Sequence, residues 1–355
     1  MSSSPLPRLN ALATAVPDHD IHQAFIDWAI PRLTDERIRA LFARMASRSG
    51  IGHRWSVLPP TEGGGSPVAP GGFYDVPGLP PTSTRMTAYA AHAPDLAMQA
   101  IAKLGDAFDA ARVTHIVVAS CTGFVAPGID QILARRLGLA PTVERVLIGF
   151  MGCYAGVTAL RTARHIVRSE PDAVVLVVSV ELSTLHLQLE DKPEPLLAML
   201  QFSDGAAAGI VSAVPGGLEL GEGISLALED SADLIRWDIG DTGFAMHLSG
   251  EVPARLRDAL AAPVIREQLF GTGKPPELLA VHAGGRSVLD AVEHALAVPP
   301  EALADSRSVL ARFGNMSSAT ILFVLAEMME RGAAGQGIAI AFGPGLAAEA
   351  IRFRA

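Results

Sequence analysis

The stretch Val146-Leu-Ile-Gly-Phe-Met-Gly-Cys-Tyr-Ala-Gly-Val-Thr-Ala-Leu160 begins as a short apolar run, breaks at glycines and continues as a helical pattern. One face of that helix collects the apolar positions Ala155, Leu160, Ala163, Ile166 and Val167. A strand that ends at glycines and leads into a helix places Cys153 at the helix N-terminus, where unpaired N–H groups and the macrodipole favour a thiolate. This stretch alone leaves two interpretations open: a nucleophile, or a small buried thiol.

The composition describes a well-packed globular chain. Its 355 residues are enough for two domains or one large α/β unit, and 49% apolar with 18% charged residues excludes disorder. A net charge of −9 argues against a nucleic-acid partner. The two cysteines, Cys121 and Cys153, are too few for a disulfide framework or a structural zinc site. Neither a secretion signal nor a membrane span is recognisable, so the cytoplasm is the expected location.

Strands and helices are predicted to alternate along the chain. Helices are expected over 19–29, 34–46, 85–104 and from Ser287, and strands over 9–16, 114–120, 172–181, 202–212, from Leu278 and from Gly337. Residues 57–84, rich in Pro and Gly, are predicted to form a long loop with no core-forming pattern. On the second helix, Arg44 and Arg48 form an i,i+4 pair that could hold a phosphate or belong to a solvated face.

The two halves of the sequence echo each other, since strands in both stop at glycine-rich loops that lead into helices. This echo predicts a duplicated α/β unit with two mixed sheets and buried helices between them, in αβαβα layers. The halves are predicted as residues 1–213, which carry the Cys, and 214–355. Loops of such sheets gather outside the strand ends, so the loops at 152, 282 and 315 are expected to converge.

Three polar residues stand at unusual places in that scheme. Cys153 opens an apolar helix, His282 ends a strand, and Asn315 precedes another buried helix. Taken singly, the histidine could be a satisfied core residue and the asparagine a helix N-cap. Together they indicate a thiolate activated by an imidazole, with the Asn either orienting that imidazole or donating to an oxyanion.

These residues belong to motifs that occur in order along nearly the whole chain. The motifs are Cys121-Thr-Gly-Phe-Val-Ala-Pro-Gly-Ile-Asp130, Gly149-Phe-Met-Gly-Cys-Tyr-Ala-Gly156, Phe202-Ser-Asp-Gly-Ala-Ala-Ala208, His282-Ala-Gly-Gly285, Gly314-Asn-Met-Ser-Ser318 and Gly343-Pro-Gly345. With them the chain resembles the bacterial-type members of the type III polyketide synthases, the chalcone- and stilbene-synthase-like branch of the thiolase superfamily. The resemblance implies a thiolase-like fold.

The resemblance also implies roles at matching positions. Cys153 falls on the nucleophile that accepts the starter acyl group from a CoA thioester. His282 and Asn315 fall on the pair that supports the thiolate and stabilises the enolate left when malonyl-CoA loses CO₂. Phe202 falls on the aromatic gatekeeper of the CoA tunnel. The CoA-binding positions are Arg44, Arg48, Gly284 and Gly285, whereas a third basic position of the phosphate site is Leu41 here.

Positions of the substrate cavity depart from the plant pattern. Met246 replaces a second gatekeeper aromatic, and it forms a softer wall. The remaining cavity positions are Cys121, His186, Trp237 and Ser317. Cys121 is interpreted as a cavity-lining thiol without a catalytic part. Trp237 could narrow the elongation cavity and favour few extensions, or redirect the growing chain into another tunnel.

The resemblance implies a cytoplasmic homodimer that condenses an acyl-CoA starter with malonyl-CoA and cyclises the product to a pyrone, resorcinol or related phenol, without metal or redox cofactor. One alternative is a ketoacyl-ACP synthase III-like enzyme that takes an acyl-carrier-protein substrate. A degradative thiolase is excluded because no cysteine follows Cys153. From another class, the chain could be a non-catalytic acyl-CoA-binding homologue.

Overall fold

The computed structural model describes residues 6–271 and 273–355. The N-terminal residues 1–5, which belong to the stretch interpreted as lacking a secretion signal, lie outside the described residues. The α-helices are α1 (His22–Ala29), α2 (Glu36–Ser47), α3 (Thr82–Ala102), α4 (Ile129–Arg136), α5 (Ala155–Ser169), α6 (Pro193–Met199), α7 (Val252–Ala261), α8 (Pro263–Phe270), α9 (Arg286–Leu296), α10 (Ala304–Phe313) and α11 (Thr320–Glu330).

The strands build one large mixed sheet and two small ribbons. They are β1 (Arg8–Ala15), β2 (His19–Asp20), β3 (Trp55–Ser56), β4 (His115–Ser120), β5 (Glu144–Gly149), β6 (Val175–Leu182), β7 (Asp204–Ser212), β8 (Leu218–Leu226), β9 (Ile235–Gly240), β10 (Gly243–Leu248), β11 (Leu278–Val281), β12 (Gln336–Gly343) and β13 (Ala347–Arg354). The nine-stranded sheet has the order β11-β12-β13-β8-β1-β7-β6-β4-β5, and β2-β3 and β9-β10 form the ribbons.

The α/β class is confirmed, and one detail of the sheet differs from the prediction. Instead of two separate sheets, the halves join through two residue pairs of β1 with β8, Arg8 with Glu219 and Leu9 with Leu218. The predicted boundary after residue 213 falls in the connection between β7 and β8. The division into two domains there stays a prediction.

Alternation along the strands shows why helices cover both faces of the sheet. In β4, Ile116 and Val118 pack into one core, whereas Val117 and Ala119 pack into another. The second core holds α5 and α11, and each of these helices contacts strands of both halves. A third core lies on the far face of β12 and includes residues of α7, α9 and α10. The result is the predicted order of five layers.

Two predictions about the outer parts of the chain are wrong. The loop over 57–84 does contribute to the core, because Leu58, Tyr74 and Leu79 are buried in it. Tyr74 reaches the carbonyl of Thr184 with its hydroxyl at 2.5 Å, so a contact distant in sequence, and not local periodicity, buries this loop. The strand from Gly337 was predicted to be the last strand, but it is followed by β13, which pairs antiparallel with both β12 and β8.

Candidate active site

Cys153 lies in the tight connection between β5 and α5, two residues ahead of the first residue of the helix. Gly152 makes this connection possible because its φ is +80° and a Cβ there would lie 2.3 Å from Pro344 Cδ. The backbone therefore turns sharply against the second half of the chain. The turn leaves Cys153 partly accessible and facing two cavities.

The first of these, the inner cavity, brings the three predicted polar residues together. It is lined by Cys153, Phe202, Ile235, Met246, Leu248, Val252, Leu256, His282, Gly284, Val288, Asn315, Phe342 and Gly343. His282 directly follows β11, and its backbone N–H donates to the Ile340 carbonyl at 2.8 Å. Asn315 follows α10, donates from Nδ2 to the Gly284 carbonyl at 3.2 Å and accepts at Oδ1 from the Ser317 N–H at 2.9 Å. The loops at 152, 282 and 315 thus converge.

Burial dominates the electrostatics of the inner cavity. It raises the pKa of the Cys153 thiol to about 12, although hydrogen bonds with Ser317 and Asn315 act in the lowering direction. Burial likewise lowers the pKa of His282 to about 3. In the resting site, burial therefore opposes the thiolate that the helix N-terminus was predicted to favour.

The second cavity also reaches Cys153, but His282 is not part of its lining. Its lining consists of Cys121, Thr122, Gly152, Cys153, Ser183, Phe202, Ile235, Trp237, Met246, Ser317 and Pro344. Cys121 is buried, and its Sγ accepts a hydrogen bond from the Gly152 N–H at 2.9 Å. Burial raises the pKa of the Cys121 thiol well above its usual range. Unlike Cys153, Cys121 is almost fully buried and its sulfur is engaged by the Gly152 N–H, so it is not placed to attack a substrate.

A wall of large side chains separates the second cavity from an apolar cavity farther out. Trp237 on β9 and Met246 on β10 are cross-strand partners, and both, together with Phe202, line the two cavities. The Trp237 Nε1–H donates to the Cys121 carbonyl at 3.1 Å, which fixes the indole. The wall therefore combines one anchored ring with one flexible thioether.

His186, predicted in the cavity, lines the outer apolar cavity and acts as a structural group there. Its Nε2 lies 2.7 Å from the Thr122 carbonyl, and its Nδ1 accepts from the Phe244 N–H at 3.0 Å. Its ring also stacks on Phe244 with 4.2 Å between centroids. Burial lowers the pKa of His186 to about 3, so the ring stays neutral.

The predicted CoA-phosphate residues line a fourth, surface cavity between α2, α6 and α9. This arginine cavity is lined by Arg44, Met45, Arg48, Ser49, Leu197, Leu200, Gln201, Arg286, Ser287 and Asp290. Gly285 adjoins it, since a Cβ at Gly285 would meet Gln201 Oε1 at 2.1 Å, and Gly284 lines the inner cavity. Arg286 was not predicted from sequence, although its place next to the glycine pair was a usable signal.

Buried polar groups behind the site were also missed from sequence. Glu181 accepts hydrogen bonds from the Cys121 N–H and the Thr122 hydroxyl, each at 2.9 Å, and burial raises its pKa to about 7. Arg54 donates to the Phe202 carbonyl at 2.8 Å and lies near the buried carboxyl of Asp204. The hydrogen-bond partners of Glu181 and Arg54 lie far away in the sequence, so local sequence patterns did not predict these contacts.

None of the helices in the described part of the chain combines the length and apolar character needed to span a bilayer.

Residues 4–215 match the family of chalcone and stilbene synthases, N-terminal domain, and residues 220–355 match its C-terminal domain. The chain is 31% identical over 364 residues to the alpha-pyrone synthesis polyketide synthase-like Pks18 of Mycobacterium tuberculosis, covering 97% of this chain and 90% of that protein.

Solved structures agree with these matches. PKS-I from the brown alga Ectocarpus siliculosus superposes with a TM-score of 0.88 at 28% identity, over 99% of both chains. The C-terminal type III polyketide synthase domain of Steely1 from Dictyostelium gives a TM-score of 0.86 at 26% identity, over 98% of this chain and 99% of that one. The chain therefore belongs to the chalcone and stilbene synthase family, the type III polyketide synthases, and is an acyltransferase enzyme.

Proposed function

We propose that this enzyme condenses an acyl-CoA starter with malonyl-CoA on Cys153, using His282 and Asn315. The observation that carries the proposal is the inner cavity, where a thiol, an imidazole and a carboxamide from three separate loops face one space. Both ring nitrogens of His282 are buried without a hydrogen-bond partner among the described residues, so each is free for substrate or for the thiol.

The first step transfers the starter to the enzyme. Since burial disfavours either charge alone, we infer that the Cys153 proton moves to His282 as the sulfur is needed, which gives a thiolate–imidazolium pair. The thiolate attacks the thioester carbonyl of the starter, the bond to the CoA sulfur breaks, and the imidazolium proton leaves with CoA as its thiol. The acyl group is then held as a Cys153 thioester.

The second step builds the carbon–carbon bond. Malonyl-CoA loses CO₂, and the electron pair of the broken C–C bond stays on the thioester fragment as an enolate. The enolate oxygen accepts hydrogen bonds from N–H groups of His282 and Asn315. Such preorganised donors contribute on the order of 3 kcal/mol each to a transition state of this kind. The enolate carbon attacks the Cys153 thioester, Cys153 leaves as thiolate, and the lengthened chain remains on CoA until it returns to Cys153 or cyclises.

The cavities indicate the class of starter and product. Beyond Trp237 and Met246, the outer cavity has a lining that is mostly apolar, with Phe25, Leu58, Val68 and others. Such a lining favours an aliphatic acyl chain over a polar starter. The relative Pks18 is named for alpha-pyrone synthesis. By analogy, we propose a pyrone as the first product to seek, ahead of a resorcinol or phenol.

We also propose a homodimer. Strand β5 is an edge strand of the nine-stranded sheet, and its Val146 and Leu147 are 37% and 48% exposed. Phe124, which is 49% exposed, adds to this apolar surface beside Gly149. An unpaired edge with exposed apolar side chains is a surface that a second copy of the chain would cover. Sedimentation of wild type and Leu147→Glu checks this, with a monomer expected only for the variant.

The chemistry proposed here needs no metal or redox cofactor, because the lost CO₂ supplies the electron pair for the new bond. Both thiols of the chain are free, which agrees with a cytoplasmic location. The partners are then the CoA thioesters and a second copy of the chain, with no nucleic acid, in keeping with the net charge of −9.

The experiment is a mass-spectrometric product screen with malonyl-CoA and acetyl, medium-chain, long-chain and aromatic CoA starters. We expect pyrones that disappear in Cys153→Ala. Turnover only with carrier-protein substrates would assign the enzyme to the ketoacyl-ACP synthase reaction instead. Binding of acyl-CoA without any loss of CO₂ from malonyl-CoA would indicate a non-catalytic homologue.

A further inference from the structure

The arginine cavity holds three guanidinium groups, and the third was not predicted. Arg44 lies on α2 and Arg48 directly follows that helix, whereas Arg286 is the first residue of α9. Arg286 follows Gly285 and Gly284, of which Gly284 lines the inner cavity. The resemblance placed a further basic residue at position 41, but Leu41 stands there. Arg286 supplies a third positive charge to the cavity from α9, in place of the basic residue that is missing at position 41 of α2.

Arg286 is held where it faces this cavity. One of its terminal nitrogens donates to the Arg48 carbonyl at 3.1 Å, which ties α9 to the end of α2. Its Nε lies 3.5 Å from Asp290, and the other oxygen of Asp290 lies 2.8 Å from Arg307. Arg307 therefore shares the charge of Asp290, which leaves the cavity with a net excess of positive charge. The Arg286 side chain is 53% exposed, so it is open to a ligand.

The position of Arg286 fits a long substrate that reaches Cys153. The segment 284–286 runs from the inner cavity, through Gly284, to the arginine cavity, through Arg286. Gln201, which lines the arginine cavity, is followed by Phe202, which lines the inner one. The segments 284–286 and 201–202 therefore each contribute lining residues to both the inner cavity and the arginine cavity. A thioester at Cys153 and an anionic group among the arginines can belong to one molecule.

We propose that Arg286 is a phosphate-binding and specificity-determining residue that selects acyl groups carried on the adenosine 3′,5′-bisphosphate of CoA. This inference rests on the proposed use of CoA thioesters. A guanidinium binds phosphate oxygens through two parallel N–H groups, and three such groups suit a ligand with several phosphates. Pantetheine carriers without the nucleotide make no use of this cavity.

The test compares Arg286→Gln with wild type in two measurements. In calorimetric titration with free CoA, we expect about tenfold weaker binding for the variant, the effect of losing one charge-assisted hydrogen bond. In kinetics, we expect KM for malonyl-CoA to rise about tenfold with little change in kcat, because the nucleotide lies far from the reacting atoms. The preference of the enzyme for malonyl-CoA over malonyl-pantetheine is expected to fall by the same factor.

Arg257→Gln is the matched control, since Arg257 is 54% exposed and pairs with its neighbour Asp258 outside the arginine cavity. It should bind CoA as wild type does. Unchanged CoA binding in Arg286→Gln, or an equal loss with malonyl-pantetheine, would overturn the inference. The titration needs no turnover, so a failure of the proposed condensation reaction would be seen separately as absent product with CoA binding still dependent on Arg286.

Discussion

The backbones of Phe202 and Asn315 are paired in a short parallel bridge, although 113 residues separate them. The Asn315 N–H donates to the Gln201 carbonyl at 2.8 Å, and the Ser203 N–H donates to the Asn315 carbonyl at 2.9 Å. The predicted gatekeeper and the predicted oxyanion donor are therefore held at a fixed separation. The two halves of the chain meet at this point, so positioning of the site does not depend on side-chain packing alone.

Replacing Asn315 with Ala tests its part in the decarboxylation step. We expect kcat for release of CO₂ from malonyl-CoA to fall about 100-fold, because one preorganised donor to the enolate oxygen is lost. The measurement is CO₂ release, with thermal unfolding to check the fold, since the bonds to Gly284 and Ser317 are lost as well. Asn10→Ala is the control, since Asn10 lines neither of the two cavities that reach Cys153. A wild-type rate in a folded Asn315→Ala would reduce Asn315 to a structural residue.

Replacing Trp237 with Ala tests the wall between the second and the outer cavity. Loss of the indole joins these two spaces, so longer acyl chains gain room beside Cys153. We expect the ratio of kcat/KM for long-chain over acetyl starters to rise about tenfold, the discrimination that a few methylene contacts give. Trp28→Ala, a partly buried tryptophan outside these cavities, is the control. An unchanged ratio would show that the chain takes another path.

The two cysteines are expected to differ sharply in reactivity. Brief treatment of the native enzyme with iodoacetamide should label Cys153 and spare Cys121, which is 2% exposed and holds the Gly152 N–H. Peptide mass spectrometry gives the two labelled fractions. Cys121→Ala should keep condensation activity, and His282→Gln should label more slowly at Cys153 because its proton acceptor is gone. Preferential labelling of Cys121 would contradict this assignment.

The sequence predicted those parts of the fold that depend on local patterns. Apolar runs predicted β4 and β6. The glycines that follow apolar runs predicted that Cys153 and His282 lie near strand ends, where the loops of such sheets gather. The short pairing of β1 with β8 depends on two residues that have no periodic signal. Local patterns therefore predicted the class and the layers, but not the junction between the halves.

Features that depend on distant contacts were out of reach. Tyr74 is buried in the core, and its hydroxyl donates to the carbonyl of Thr184, which lies 110 positions later in the chain. Arg286 lines a cavity together with Arg44 and Arg48, which lie more than 230 residues earlier. The raised pKa of the Cys153 thiol has the same origin. A helix start can be recognised from sequence, but the depth of burial that opposes a thiolate cannot.

The neutral state of His186 makes the stability of the fold depend on pH in the acid range. In the folded enzyme, burial lowers the pKa of His186 from 6.5 to about 3. Between these two pH values, His186 is protonated in the unfolded chain but neutral in the folded one. Stability is therefore lost as the pH falls through 6.5. Between pH 7.5 and 5.5 this one group lowers the free energy of unfolding by about 1.4 kcal/mol.

His186→Gln removes that contribution. The variant is less stable at pH 7.5, because the Thr122 carbonyl or the Phe244 N–H loses its partner, but its further loss at pH 5.5 should be smaller than that of wild type by about 1.4 kcal/mol. Urea unfolding at the two pH values measures both differences. The same change at the exposed His247 is the control. Equal losses in wild type and His186→Gln would mean that the folded enzyme accommodates a charged ring at this position.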